Sequence, residues 1–197
     1  MAITESLFPV LTSRLTLGPV TPADATGIYH LYADWEVARW LSRLPWPFTS
    51  ASAHAFITEA AHDLERGSGC VLAMLERDTS AFVGVLSLRI PALETDPWTT
   101  DREMGILGYA VRREQRGNGF ATEGAASATR LALEEIGLAR LRATVLRDNV
   151  ASRRVLERLG FVVKHADVLE TPRHGGPARL GDTFMLERAE SRSGSAE

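Results

Sequence analysis

The chain has 197 residues, 45% of them hydrophobic, and a net charge of −3. This suits one domain with a full core, and the charge excludes long-range steering toward nucleic acid. The single cysteine, Cys70, excludes an internal disulfide, and no apolar run reaches about 18 residues, so a cytoplasmic protein with neither membrane span nor signal peptide is expected.

Residues 1 to 9 read as a flexible lead. Arg14 to Val20 reads as a half-buried strand, since Leu15 and Leu17 alternate with polar neighbours. Thr21-Pro22 supplies an N-cap with proline at the first helical position. A helix is predicted to about Trp35, with Ile28, Leu31 and Tyr32 inward, followed by a short helix over Glu36 to Ser42. Leu44-Pro45-Trp46-Pro47-Phe48 is too rich in proline for regular structure. Its two aromatics form either a hydrophobic plug or the wall of a pocket. Ser50 opens a helix that runs to Arg66 and stops at Gly67. His54 and His62 stand on it without a metal-ligand spacing, and no metal site is expected.

Cys70 to Glu76 and Ala81 to Arg89 read as a hairpin. Pro91 to Thr100 is a long loop, either a lid or an insertion. Arg102 to Val111 is the central strand. It leads through Arg112, Arg113, Glu114 and Gln115 into Arg116-Gly117-Asn118-Gly119-Phe120-Ala121, and a helix is predicted from about Gly119 to Ile136. Gly117 and Gly119 admit backbone angles closed to other residues. The first N–H groups of the helix lack internal partners and, with the helix dipole, favour an anion. Ala121, Ala125, Ala128, Ala132 and Ile136 share one helix face, where small side chains allow close approach to a sheet.

Arg140 to Val145 is a strand, Asn149 to Leu159 a helix and Phe161 to Leu169 a strand. Glu170 to Asp182 reads as a mobile loop because it is rich in proline and glycine. Thr183 to Glu187 closes the sheet, and residues 189 to 197 read as a flexible tail. The order predicts a single α/β domain over residues 10 to 188, with a mixed, mostly antiparallel sheet of about seven strands flanked by helices.

The glycine turn lacks the Gly-x-x-x-x-Gly-Lys-Ser/Thr of a nucleotide triphosphatase. Its third glycine, Gly124, comes too late for a dinucleotide fold. Arg-x-x-Gly-x-Ala (Arg116, Gly119, Ala121) instead resembles the acetyl-CoA signature of the GCN5-related N-acetyltransferase (GNAT) superfamily. Asn149, Ser152, Leu156, Gly160 and Phe161 match the spacing of that superfamily's next motif. Ser13 to Ala25 and Leu44 to Thr49 resemble the early segments of its RimJ/RimL-like group, which acetylates ribosomal-protein N-termini.

The resemblance implies a splayed strand pair that holds acetyl-CoA as co-substrate. Tyr109, Ala110 and Val111 would meet the pantetheine arm through their backbones. N–H groups from Arg116, Gly117, Asn118, Gly119, Phe120, Ala121 and Thr122 would hold the pyrophosphate, and Asn149 would cap its helix while touching the cofactor. Trp46 and Phe48 become candidates for the substrate wall. Many members carry, where Leu156 stands, a tyrosine that protonates the departing thiolate; the resemblance passes that role to Ser152. Glu103 is the candidate base and Glu170 the alternative, with an N–H of Ala110 or Val111 meeting the oxyanion. The implied reaction is acetyl transfer to a primary amine, foremost a protein or peptide N-terminal α-amine. A small amine such as an antibiotic or polyamine, or an acyl-CoA-binding module without turnover, is the alternative. The resemblance also admits a homodimer.

Overall fold

Alternation along the strands decides which helix layer each side chain meets. The strands are β1 (Val10–Leu11), β2 (Leu15–Pro19), β3 (Gly69–Glu76), β4 (Phe82–Arg89), β5 (Met104–Val111), β6 (Arg140–Leu146), β7 (Val162–Glu170) and β8 (Arg179–Glu187). The helices are α1 (Ala25–Ala33), α2 (Trp35–Ala38), α3 (Ser50–Glu65), α4 (Phe120–Arg130) and α5 (Val150–Arg158). The structure is a computed structural model and describes residues 3–90, 103–172 and 175–188.

On β3, Cys70, Leu72 and Met74 enter one core with Ala125 and Ala128 of α4 and Leu156 of α5. Val71, Ala73 and Leu75 face the other, with Ile28 and Leu31 of α1 and Ala53 and Ile57 of α3. The sheet is thus buried on both faces at its centre. Each fully buried leucine, such as Leu72, contributes about 2–3 kcal/mol to this packing.

The sheet has eight strands in the order β1-β2-β3-β4-β5-β6-β8-β7. β1 to β5 pair antiparallel in sequence order, and β8 inserts antiparallel between β6 and β7. The exception is β5 with β6, which run parallel and share a register over Met104↔Arg140, Gly105↔Leu141 and Ile106↔Arg142. Both strands continue past that point, β5 to Val111 and β6 to Leu146, without further pairing to each other. A gap therefore opens between their C-terminal halves.

Several boundaries differ from the sequence reading. The sheet has one strand more than expected because Val10–Leu11 pairs with β2. The lead is docked over its described part, because Ile3 is 1% exposed and donates its N–H to Gly67 O. The short second helix stops at Ala38, not Ser42. The expected loop is shorter than its composition suggested: β7 reaches Glu170 and β8 starts at Arg179, so residues 171 to 178 connect them. Long β pairing supplies the order that local composition hid. The loop Pro91 to Thr100 lies outside the described residues. Among the described residues no helix is long and apolar enough to cross a membrane.

Candidate functional site

Backbone direction along β5 defines the inner wall of the gap. Arg112 N–H donates to Val83 O at 3.0 Å. Bonded and unbonded rungs alternate in an antiparallel pair. Ala110 therefore turns its N–H and C=O toward β4, whereas Tyr109 and Val111 turn theirs into the gap. Consistently, Val111 O is met by Arg116 Nε at 3.5 Å rather than by β4. Of the expected backbone contacts, Tyr109 and Val111 face the gap and Ala110 does not. The same alternation leaves Val111, rather than Ala110, as the oxyanion donor of the expected pair.

The glycine turn lies just beyond the C-terminal end of β5. Gly117 and Gly119 both have φ of 82°. A Cβ at Gly117 would meet nothing within 4 Å, so the backbone angle rather than space calls for glycine there. The first intrahelical bond of α4 is Glu123 N–H to Gly119 O at 3.0 Å. The N–H groups of Phe120, Ala121 and Thr122 come before that bond, and Gly119 has no side chain to cap them. These donors fit an anionic group such as a pyrophosphate. Gly119 N–H and Asn118 belong to the same turn. The Asn118 carbonyl accepts from Arg14 Nη1 at 2.9 Å, and its Nδ2 donates to Gln115 O at 3.4 Å.

The arginines of the turn are occupied. Arg116 N–H donates to Arg113 O, and its side-chain Nη2 reaches Glu36 O at 3.0 Å. Arg113 forks onto Asp34 through Nε at 3.1 Å and Nη2 at 2.9 Å, and Arg112 pairs with Glu114. The sequence reading gave the Arg116 N–H a contact with the anion, but that N–H is already bonded to Arg113 O, and the guanidinium ties the turn to α2.

Sequence reasoning missed the pair that buttresses the turn from the other side. Glu123 Oε1 accepts from Thr12 Oγ1 at 2.6 Å, Ser13 Oγ at 2.9 Å and Arg14 N–H at 2.8 Å. Its Oε2 accepts from Arg14 Nε at 2.7 Å and Nη2 at 2.6 Å. Partial burial pushes the carboxyl up, but these donors outweigh it and hold it down at about 2. Arg14 also lies over the Phe120 ring at 4.6 Å. A basic residue beside the start of α4 is the feature to look for, but more than 100 residues of chain separate the partners.

Asn149 caps α5, with Oδ1 accepting from Ser152 N–H at 3.2 Å. Ser152 Oγ lies 2.9 Å from Tyr109 Oη, and Tyr109 Oη also donates to Ser152 O at 3.1 Å. This contact joins β5 to the helix that follows β6, and so spans the gap. Leu156 is fully buried in the core, so the position of the superfamily's tyrosine is filled by packing.

The open end of the gap is ringed by loops. Glu170 Oε2 accepts from Ser42 Oγ at 2.7 Å. Arg179 donates to Arg39 O at 2.9 Å and to Asp148 Oδ2 at 2.5 Å. Trp40 lies under the guanidiniums of Arg39, at 4.4 Å, and Arg179, at 5.0 Å. Trp46 is 36% exposed and packs against Trp35 with ring centroids 5.0 Å apart and the planes tilted by 59°. Phe48 is a plug rather than a wall: it is 5% exposed and meets Tyr32 edge-on in the α1–α3 core.

Glu103 is at the wrong end. It precedes Met104 at the paired end, where its carbonyl accepts from Ala139 N–H at 2.8 Å. At about 3.3 Å per residue it lies about 13 Å short of Leu107, where the gap begins, and about 26 Å from Val111. A base needs hydrogen-bond reach, directly or through one water. A cavity of about 480 Å³ is lined by Ile3, Val20, Leu64 and Val71 and by no residue of β5 or β6. No group of metal-ligating side chains occurs among the described residues.

A parallel strand pair that parts beside a glycine turn, with N–H groups directed into the gap and at the start of α4, makes an α/β domain with a groove that ends in an anion site. Residues 14–162 match the model of the Acetyltransferase (GNAT) domain, and the chain belongs to that family. It is an acetyltransferase that uses acetyl-CoA. Among curated proteins it is similar to the uncharacterised N-acetyltransferase YoaA of Bacillus subtilis (strain 168), with 29% identity over 156 residues, covering 79% of this chain and 84% of that protein. Mycobacterium smegmatis RimJ in complex with CoA-disulfide superposes with a TM-score of 0.76 at 19% identity, covering 94% of this chain and 91% of the other. Spermidine N-acetyltransferase from Vibrio cholerae, in complex with CoA and spermine, gives 0.74 at 16%, covering 91% and 98%. These two likenesses concern the fold.

Proposed function

We propose that this acetyltransferase acts on a protein or peptide N-terminal α-amine, with the glycine turn holding the pyrophosphate and the β5–β6 gap holding the pantetheine arm. The observation that carries the acceptor class is the charge balance at the open end. At the open end Asp148 is paired with Arg179 and Glu170 is held by Ser42, while beside the turn Asp34 is paired with Arg113 and Glu36 lies 3.6 Å from Arg39. A polyamine carries several ammonium groups and calls for unmatched carboxylates. A single amine on a chain of varied side chains does not.

The amine's own pKa supports the same choice. At pH 7 an α-amine is about 14% neutral, whereas a lysine-type amine is about 0.04% neutral. An N-terminus therefore asks little of its base. Glu170, held by Ser42 at the open end, is suited to take the amine's surplus proton through water. Acetyl-CoA supplies an activated thioester when bound. The Val111 N–H, turned into the gap, is the donor for the oxygen on which charge develops. Ser152 is the group set to give a proton to the sulfur. Trp46, exposed beside Trp35, is a wall for the acceptor.

The test is acetyl transfer to a panel of N-terminally varied peptides against spermidine, spermine and an aminoglycoside, read by thiol release and product mass. Peptide products with polyamines slower by tenfold or more are the expected result. Faster turnover of spermidine than of every peptide overturns the acceptor class.

A further inference from the structure

The contact across the gap has two hydroxyls, and the function proposed above uses one. Tyr109 Oη is 2.9 Å from Ser152 Oγ and 3.1 Å from Ser152 O. The phenol can direct its one proton to either acceptor. We infer that Tyr109 is the positioning residue behind Ser152, a β5 phenol that orients the serine hydroxyl and restores its proton when the thiol departs. The inference rests on the reading of Ser152 as proton donor to the sulfur.

Three observations lead there. Tyr109 stands where β5 has left β6, and its backbone faces the gap that Ser152 borders from α5. Leu156 carries no hydroxyl and is buried in the core, so it brings no proton donor to the site. A serine hydroxyl alone is also a weak acid beside a thiol of pKa about 8.5, so its proton moves readily only if a second donor refills it. Burial pushes the Tyr109 phenol up to about 12, so it keeps its proton at every working pH.

The step balances as follows. The amine nitrogen bonds to the carbonyl carbon and loses its surplus proton to water near Glu170. The carbon–sulfur bond breaks while Ser152 gives its hydroxyl proton to the sulfur. Tyr109 passes its proton to Ser152 and regains one from solvent. No oxidant or further reactant enters.

Tyr109→Phe, Ser152→Ala and the double variant test this, with both peptide acetylation and the slow hydrolysis of acetyl-CoA by water as reactions. Ser152→Ala leaves the α5 cap intact, because the cap uses the serine's N–H. Each single variant is expected to lower kcat 10- to 100-fold, with the double no worse than the weaker single by more than about twofold, as for groups acting as one unit. CoA affinity, read by calorimetry, is expected to stay within about threefold. A merely structural tyrosine would instead loosen CoA and lower the unfolding midpoint while the losses in kcat multiply. A Tyr109→Phe enzyme with kcat within twofold of the parent, or multiplying losses, overturns the inference. If no peptide is acetylated by the parent, the acceptor reading fails, and the hydrolysis series still decides the role of Tyr109.

Discussion

Glu123→Gln isolates the clamp that fixes the start of α4. The carboxylate is held at about 2 instead of 4.5 by the hydroxyls of Thr12 and Ser13 and by Arg14. That difference corresponds to about 3 kcal/mol of folding free energy at neutral pH. Because the folded pKa is the lower one, the contribution is complete above the unfolded value and is lost as pH falls from about 4.5 to about 2. Glutamine keeps one acceptor oxygen but not the charge, so about 2 kcal/mol of the effect should disappear. With a urea dependence of about 2 kcal/mol per molar, the unfolding midpoint should fall by about 1 M at pH 7. The gap between parent and variant should narrow steadily below pH 4.5. Equal midpoints at pH 7, or an offset unchanged at pH 3, would refute the reasoning.

The remaining predictions concern the turn, the base and the loop. Gly119→Ala puts a Cβ on a residue with φ of 82°. It should cost about 1–2 kcal/mol and raise the KM for acetyl-CoA more than it lowers kcat; an unchanged KM would count against the turn as the anchor. Glu170→Gln should lower kcat severalfold at pH 7, by about 7-fold at most since about 14% of the α-amine is already neutral, with the loss shrinking as pH rises and the amine deprotonates itself, whereas Glu103→Gln should leave kcat within twofold. Phe48→Ala should destabilise by about 3–5 kcal/mol, as expected for a buried aromatic, while Trp46→Ala should spare stability and change the preference among peptides. Unfolding curves and a peptide panel separate these outcomes.

The glycine turn was legible because its chemistry is local. Two glycines ahead of an alanine-faced helix specify a bend, an uncapped helix start and an anion site within a few residues. The alternation on β3 and the small-residue stripe of α4 likewise announce which faces are buried. The carboxylates were harder. Glu103 and Glu170 look alike in sequence, and only the point at which β5 parts from β6 separates the useful one from the remote one. Phe48 and Trp46 stand two residues apart on one proline-rich loop, yet one is sealed against Tyr32 and the other is exposed. Composition also misplaced the ends of the loop in residues 170 to 182, because Glu170 and residues 179 to 182 are held in a long hairpin by the partner strand.

By itself the sequence determined the α/β layering, the helix that follows the glycine bend and the kinship to the acetyltransferases, since each depends on spacing within a short window. Only the tertiary structure decided which backbone N–H groups enter the gap, what Arg116 holds, and that Tyr109 meets Ser152. The reason is physical: a strand's outward direction is set by its pairing register, and a side chain's partner by what a distant segment packs against it. Neither quantity is written in the residues on either side.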